Sequence, residues 1–372
     1  MSTRATASQA STVCRRCSRR SWLLSELSVA LEHRARERGR LIDALALEDL
    51  ELIEALGGRR REELRARHQS FAGDAGEAQA PSQSLCVHDS RYPASLAGRT
   101  APRTLNVTGG VDRLSRLSRI ASVAVVGSRS ASDYGTAMAR SLARGLAVAG
   151  VNVVSITREG VGLAAQEGVL EASAGAIGVC ADGLDVMAPA RSPPLRRRMA
   201  AAGCLVSELP CNVRGRRWGA IAAERIAVGL ASVVVVVEAT DSPGELFPAE
   251  LAHAQGRTLA AMPGRITSPL SAGPHALLID GANLVRGPSD VLELLGSHAS
   301  RAPSPPVERL EPRLQAVLDG VGAGLDTAED LAGTGKLAAT LAALGELELM
   351  GLLIRGTGGR YLPRDPVLGA GA

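Results

Sequence analysis

The chain has few aromatic side chains and almost no lysine. Its 372 residues include two tryptophans, three tyrosines and two phenylalanines, and Lys336 is the single lysine among 42 basic residues. So few rings disfavour a protein that holds single strands by stacking successive bases on aromatic side chains. If the chain contacts a nucleic-acid strand, we expect the contacts to come from backbone amides and arginines.

Long apolar runs are also missing. None reaches the roughly 20 residues of a membrane helix, and the longest, Val233 to Val237, fits a buried strand. The first residues are polar, with Arg4, Arg15 and Arg16 and no apolar segment behind them, so we expect no secretory signal, no membrane partner and a cytoplasmic location. A hydrophobic content of 45% excludes wholesale disorder. The net charge of +4 permits an acidic partner such as nucleic acid without requiring one.

The six cysteines lie at positions 14, 17, 86, 180, 204 and 211. Without a secretory signal they indicate a reducing compartment. Cys14 and Cys17 form a single CxxC pair, whereas a structural zinc site needs four ligands. Because no second CxxC or HxxxH pair is recognised, we expect no metal site, and no motif indicates a cofactor.

The length predicts two or three domains at roughly 150 residues each. Apolar positions recur at helical spacing between Trp22 and Phe71, and stretches rich in Pro, Ser and small residues indicate two linkers. The predicted boundaries are a disordered basic tail at 1–21, a helical domain resembling SAM or helix-hairpin modules at 22–72, a linker at 73–85, a Rossmann-like core at 86–297, a second linker at 298–312, a winged-helix domain at 313–364 and a tail at 365–372.

In the core, short β-branched runs alternate with amphipathic helical patterns, which predicts an α/β fold with a Rossmann-like, doubly wound and mostly parallel sheet. The predicted strands are Val123–Val126, Val151–Ser155, Ala176–Cys180, Cys204–Ser207, Val233–Glu238, Thr258–Ala261 and Asn283–Val285. The predicted helices lie near 134–149, 161–173, 193–202, 219–230, 247–255, 274–280 and 288–296.

Three short helical patterns and a hairpin pattern at the carboxyl end predict a winged helix. Its would-be recognition helix carries only Lys336 as a cation and has Glu346 and Glu348 near its end. Major-groove binding is therefore disfavoured, and a role in interaction or regulation is favoured.

The first strand-to-helix loop of the core, VAVVGSRSASDYG, has features of an anion site. Gly127 permits a tight turn, Ser128 and Ser130 offer hydroxyls, and Arg129 offers a guanidinium that suits a phosphate. A cap from Ser132 or Asp133 would leave backbone N–H groups aimed at an anion. An ordinary tight turn is the alternative, and the loop lacks the GxGxxG pattern of a dinucleotide site.

From YPASL at 92–96 to GPSDVLELLG the chain resembles the DNA-processing protein A family, DprA or Smf. The resemblance is carried in order by VAVVGSR, GVNVVS, GLDVMAPA, LVSELP, VVVVEA, AHAQGRTLAAMPGRITSPLSAG and IDGANLV. It implies a non-catalytic protein that binds single-stranded DNA, helps load the RecA recombinase during natural transformation, and forms a homodimer. The binding site that it implies consists of Gly127, Ser128, Arg129, Ser130, Ser155, Arg158, Gly160, Arg217, Trp218, Arg225, Gly244, Gly264, Gly273 and His275.

Several positions depart from the family pattern. In SITREGVGLAAQ, Ile156 replaces a glycine, Gly162 an aspartate and Gln166 a histidine. Two carboxylates, Glu159 and Glu224, stand where the family often has Arg and Asn, and Pro243 and Pro248 remove hydroxyls near Gly244. Lost charge-assisted contacts are each worth roughly 1.5–3 kcal/mol, so we expect weakened binding. A decayed paralogue that keeps the scaffold without binding DNA is the alternative.

An enzyme is a further alternative, because phosphoribohydrolases share a similar core. They use a PGGxGT loop, whereas this chain has only Pro263, Gly264 and Arg265. Glu238, Asp182 and Asp185 could act as acid and base at the crevice, but helix capping or pairing with arginines is the favoured interpretation.

Overall fold

The structure is a computed structural model that describes residues 13–71, 82–186, 192–296, 311–322, 325, 327–333, 337–349, 352–355 and 360–363. The chain divides into two compact units, Met1–Ala302 and Pro303–Ala372. No helix in these described ranges is both long and apolar enough to cross a membrane.

Five helices form the amino-terminal part of the first unit. They are α1 (Arg15–Glu26), α2 (Ser28–Arg34), α3 (Arg38–Ala46), α4 (Asp49–Leu56) and α5 (Arg61–Gln69). Leucines at helical spacing, among them Leu23, Leu31 and Leu52, are completely buried between them. This apolar cluster continues into the core through Trp218, so these helices and the sheet share one hydrophobic interior.

The prediction of a disordered tail at 1–21 was wrong from Arg15 onward. Helix α1 begins at Arg15, and tertiary contacts hold this segment in place. Cys17 and Arg20 are buried, and Arg20 donates a hydrogen bond to the carbonyl of Leu45 at 2.8 Å. Arg20 also pairs with Asp49. Residues 1–12 of the predicted tail lie outside the described residues.

The core contains a nine-stranded sheet. Its strands are β1 (Gln83–Cys86), β2 (Thr104–Thr108), β3 (Ser122–Val126), β4 (Asn152–Ile156), β5 (Ile177–Val179), β6 (Cys204–Ser207), β7 (Val233–Val236), β8 (Thr258–Ala261) and β9 (Asn283–Leu284). The spatial order is β1-β2-β6-β5-β4-β3-β7-β8-β9. Strand β2 pairs antiparallel with β1 and β6, and the remaining neighbours pair in parallel. The mostly parallel sheet is confirmed.

Eight helices connect or flank these strands. They are α6 (Val111–Leu117), α7 (Asp133–Val148), α8 (Val161–Glu171), α9 (Ser192–Ala202), α10 (Arg216–Leu230), α11 (Pro243–Ala254), α12 (Ala272–Ile279) and α13 (Pro288–Leu295). Successive residues of β3 point to opposite faces, so Ala124 and Val126 join the cluster with Trp218, while Val123 and Val125 join the cluster around α7 and α8. Both faces of the sheet are therefore covered.

All seven strands and seven helices predicted for the core are present, with boundaries close to the predicted ones. Strands β1 and β2 were missed, and the predicted linker at 73–85 was wrong at residues 83–85. These strands contain polar residues whose hydrogen-bond partners lie far away along the chain. Ser84 donates to the Asn106 side chain at 2.7 Å, and Asn106 donates to the carbonyl of Leu209 at 2.8 Å.

The second unit contains α14 (Pro312–Gly322), α15 (Ala328–Ala332) and α16 (Leu337–Leu349), followed by an antiparallel pair, β10 (Leu353–Arg355) and β11 (Tyr361–Pro363). Leu314, Leu344, Leu347, Leu353 and Tyr361 form its core. Lys336 and most of the predicted linker at 298–312 lie outside the described residues.

Candidate nucleic-acid interface

A cleft of about 640 Å³ opens at the carboxyl ends of the central strands. Strand β3 lies between β4 and β7. Strands β4, β5 and β6 follow one another on one side of β3, and β7, β8 and β9 follow one another on the other side. Such a switch point is where open α/β sheets bind ligands. We call this the central cleft. Its charged lining residues are Glu32, Arg38, Arg129, Arg158, Glu159, Asp182, Arg216, Arg217, Glu224 and Glu245.

Two glycines permit close contacts of the loop after β3 with the chain that follows β4 and β7. Gly160 has a φ of +80°, and a Cβ there would lie 2.2 Å from the carbonyl oxygen of Ser128. A Cβ on Gly127 would lie 2.6 Å from the carbonyl oxygen of Glu238. Any larger residue would force these backbones apart, so both glycines shape the cleft.

The arginines of the cleft differ in their partners. Arg38 pairs with Glu224 at 3.1 Å and stacks over the Phe247 ring. In the described part of the chain, the other four arginines of the lining form no salt bridge. Arg129, Arg216 and Arg217 are exposed. These guanidinium groups are therefore available to an external anion.

Arg158 is half-buried within this group. Burial and the positive charge of Arg129 lower the pKa of Arg158, while Glu224 and Asp182 partly oppose that shift. Arg129 and Arg158 both line the cleft. Two cations held together in this way favour an anion between them, because bound negative charge relieves their repulsion.

Three of the five carboxylates of the cleft accept hydrogen bonds from backbone N–H groups. Glu32 accepts from Arg217 at 3.0 Å and from Trp218 at 3.1 Å. Glu245 accepts from the N–H of Thr240 at 2.7 Å, and Asp182 accepts from that of Gly215 at 2.8 Å. Their charges remain in the cleft, and five arginines face five acidic residues.

The amino terminus of α7 also holds an internal anion. The carboxylate of Glu238 accepts from the backbone N–H of Ser132 at 2.8 Å and from its hydroxyl at 2.7 Å. The N–H of Ser128 donates to the Glu238 carbonyl, and that of Ser130 donates to the Ser128 hydroxyl. Internal acceptors already bind these three amides, so they do not face an external anion. Of the two predicted candidates for the helix cap, Ser132 and Asp133, Ser132 caps α7.

The carboxylates considered as catalytic acids or bases accept backbone hydrogen bonds within the fold. Glu238 accepts from the N–H of Ser132, the residue that caps α7, Asp182 accepts from the N–H of Gly215, and Asp185 accepts from that of Asn212 at 2.9 Å. Each therefore has a structural partner in the fold.

Glu224 is the buried carboxylate of the cleft, with 8% of the residue exposed. Burial raises the pKa of Glu224 to about 7, against the opposing positive charges of Arg38 and Arg158. The charge of the cleft therefore depends on pH near neutrality.

Two residues of the implied site lie inside the protein. Trp218 has no exposed surface, and its indole N–H donates to the Ser28 hydroxyl at 3.1 Å. Arg225 is 2% exposed and forms a buried ion pair with Glu208. A ring or guanidinium enclosed in this way cannot contact a strand, so neither residue belongs to the candidate site.

The other implied residues are divided between the cleft and other places. Gly127, Arg129, Arg158, Arg217 and Gly244 line the cleft. Ser128 is buried and donates to Glu245 at 3.0 Å, and Ser155 is buried in β4. Three implied residues do not line the cleft: Gly264, Gly273 and His275. The His275 ring forms a hydrogen bond with the carbonyl of Gly264 at 3.2 Å.

The departures from the family pattern also have structural roles. Gln166 is completely buried and donates to the Thr157 hydroxyl at 2.9 Å. Pro243 occupies the first position of α11, and Pro248 lies inside that helix and lines the cleft. Ile156, Gly162 and the exposed Glu159 line it as well.

Two cleft residues were not predicted from the sequence: Glu32 and Arg38, which the amino-terminal helices contribute. No local signal marks them, because their role depends on how these helices pack on the core. The cation–π contact of Arg38 with Phe247 and the contact of Glu32 with α10 are both tertiary.

The fold and the cleft define an α/β protein with an arginine-lined switch-point site on a nine-stranded sheet. The family described as DNA recombination-mediator protein A matches residues 83–296, more than half of the chain. The chain therefore belongs to this family.

Named relatives support the assignment. A protein of Mycobacterium tuberculosis strain H37Rv, named as a DNA processing protein DprA, is 37% identical over 253 residues, which cover 64% of each chain. Protein Smf of Escherichia coli K12 is 36% identical over 218 residues, or 58% of this chain and 57% of its own. The match thus spans less than two thirds of the length of these relatives.

Two solved structures are similar. DprA from Streptococcus pneumoniae has a TM-score of 0.60 at 26% identity, covering 76% of this chain and 98% of its own. DNA processing protein A from Helicobacter pylori, described for its single-stranded DNA binding mode, has a TM-score of 0.51 at 25% identity, covering 57% of this chain and 95% of its own.

Proposed function

We propose that this protein binds single-stranded DNA in the central cleft. The observation that carries the proposal is the group of four arginines without a salt-bridge partner among the described residues, Arg129, Arg158, Arg216 and Arg217. Guanidinium groups bind phosphate through forked, charge-assisted hydrogen bonds. Family membership and the DNA-binding description of the Helicobacter pylori protein support this choice of ligand.

At α7 and α10, binding in this cleft relies on side chains rather than on helix amino termini. Glu238 and Glu32 already occupy the first turns of α7 and α10. Aromatic stacking adds little, since Trp218 is enclosed and aromatic residues make up 2% of the chain. The affinity therefore falls steeply with salt, as expected for phosphate contacts.

The family relationship also supports a wider role. We propose that the chain acts in the cytoplasm as a homodimer, protects incoming single strands and helps load RecA in natural transformation. The three helices and the β10–β11 hairpin of the second unit are consistent with a winged helix that serves interaction or regulation.

A non-binding scaffold is the second candidate, and the charge balance of the cleft favours it. Five carboxylates oppose the five arginines, and Glu159 is exposed among them. A scaffold of this kind would still capture RecA while giving no signal with DNA.

The test is a fluorescence-anisotropy titration of the full chain with a labelled oligothymidine at low salt. We expect binding by the wild type and a loss of about 10- to 100-fold in Arg129→Ala, equivalent to roughly 1.5–3 kcal/mol for a charge-assisted contact. Arg144→Ala, which changes an exposed arginine of α7 outside the cleft lining, is the matched control and should bind like the wild type.

No binding by the wild type at low salt would overturn the proposal, and RecA capture by such a protein would establish the scaffold. Equal affinities of the wild type and Arg129→Ala would place DNA outside the cleft. Release of free base from nucleoside monophosphates would instead indicate a phosphoribohydrolase.

A further inference from the structure

Three cysteines and a histidine converge where the amino-terminal helices meet the sheet. Cys14 immediately precedes α1, and Cys17 lies in the first turn of that helix. Cys86 is the last residue of β1, and His88 follows two positions later. One ligand atom from each of the four side chains lies within 4.8 Å of all the others.

The distances match a tetrahedral metal site. The Nδ1 atom of His88 lies 3.4 Å from the Sγ of Cys14, 3.5 Å from that of Cys17 and 3.8 Å from that of Cys86. With Zn–S bonds of about 2.3 Å and Zn–N bonds of about 2.0–2.1 Å, tetrahedral coordination separates sulfur and nitrogen by about 3.6 Å.

Hydrogen bonding alone does not explain this arrangement. The Nδ1 atom of a neutral imidazole donates or accepts one hydrogen bond, so it cannot serve three thiols at once. A cation placed between the four atoms would satisfy all of them together, because it binds each sulfur as a thiolate and the nitrogen through its lone pair.

We propose that Cys14, Cys17, Cys86 and His88 bind one zinc ion. Three thiolates and one imidazole form a common closed set for structural zinc, and soft sulfur ligands disfavour magnesium or calcium. The expectation of no metal site rested on the lack of a second CxxC or HxxxH pair. The second pair of ligands is Cys86 and His88, which are separated by one residue. Strand β1, which was not predicted from the sequence, brings this pair to the amino terminus of α1.

The ion would join the amino-terminal helices to the core. Cys14 and His88 are 74 residues apart, so the site closes a long segment of chain and adds its binding free energy to folding. Nearby contacts support the same junction, since Arg103 beside β2 pairs with Glu48 before α4. The inference stands on this geometry and does not depend on DNA binding.

The experiment measures metal in the full chain, purified under reducing conditions without a metal-affinity tag. We expect about one zinc ion per chain, the stoichiometry of a four-ligand structural site. Replacement by Co²⁺ should give the ligand-field bands of tetrahedral cobalt and a thiolate-to-cobalt charge-transfer band. Removal by a chelator should lower the midpoint of thermal unfolding.

Variants test the ligands. Cys17→Ser and Cys86→Ser should lose the metal, whereas His88→Cys should retain it as a four-cysteine site. Cys211→Ser is the matched control, because this half-buried cysteine is outside the cluster. Circular dichroism reports whether each variant folds, and the cobalt spectrum of the wild type gives a result independent of variant folding.

Wild-type protein that neither contains zinc nor binds Co²⁺ in tetrahedral form would overturn the proposal. Equal metal content in the wild type, Cys17→Ser and Cys86→Ser would also overturn it. A disulfide between Cys14 and Cys17 that remains intact in the presence of a reducing agent would overturn it as well. An unchanged unfolding midpoint after complete metal removal would overturn the structural role.

Discussion

The carboxylate of Glu32 on α2 lies at the first turn of α10, where it accepts a hydrogen bond from the backbone N–H of Arg217 at 3.0 Å. An internal anion thus occupies a position that a helix amino terminus offers to phosphate. Glu238 does the same on α7. If the cleft binds phosphate as proposed, the contacts near α7 and α10 are therefore left to guanidinium groups.

Replacing Glu32 should strengthen DNA binding. In Glu32→Gln the amide oxygen still accepts a hydrogen bond from α10, but the negative charge beside Arg217 is gone. We expect about fivefold tighter binding, equivalent to roughly 1 kcal/mol for one partly screened charge. The titration with oligothymidine measures it, and Glu37→Gln, an exposed change outside the cleft, is the control. Weaker binding by Glu32→Gln would mean that Glu32 positions the site rather than repelling the strand.

Glu159 is an exposed carboxylate of the cleft. Glu159→Gln should tighten DNA binding about three- to tenfold, because like charge beside a phosphate path costs on the order of 1 kcal/mol. The gain should shrink as salt rises. Glu250→Gln on α11 is the matched control outside the lining. Identical affinities of Glu159→Gln and the wild type at low salt would show that the strand does not pass Glu159.

The affinity for DNA should depend on pH through Glu224. Because burial raises the pKa of Glu224 to about 7, this carboxyl is mostly neutral at pH 6 and mostly charged at pH 8. Binding should therefore be tighter at pH 6, by several-fold. Glu224→Gln should bind equally at both values. A pH dependence that persists unchanged in Glu224→Gln would assign it to another group.

Arg225 should stabilise the fold rather than contact DNA. Removing one member of a buried ion pair costs about 3–5 kcal/mol because its partner charge is left alone. Arg225→Met should therefore lower the free energy of unfolding in urea by this amount, and adding Glu208→Gln should recover much of it. The double variant should bind DNA like the wild type. A stable double variant that has lost DNA binding would contradict this role.

The sequence predicted the parallel part of the sheet well because its strands are short β-branched runs that need no other information. Val233–Val236 and Val123–Val126 are apolar on both faces, as buried parallel strands are. Strand β1 and the start of α1 were missed because polar or basic residues there, such as Ser84 and Arg20, are stabilised by partners far along the chain.

The site was predictable only in its local parts. The loop from Gly127 to Ser132 turns and caps α7 as its residues indicate. Burial of Arg225 and the closing of the α7 amino terminus by Glu238 both depend on residues from other strands. Charge and spacing in one segment carry no information about such partners.

The salt dependence of DNA binding tests the central claim most directly. The affinities of the wild type, Arg129→Gln and the control Arg144→Gln for oligothymidine are measured over a range of salt concentrations. If Arg129 neutralises one phosphate, the slope of log K against log salt should be shallower in Arg129→Gln by about 0.7, the value per contact for single strands. The slope of Arg144→Gln should equal that of the wild type. An unchanged slope in Arg129→Gln would contradict a phosphate contact in the central cleft.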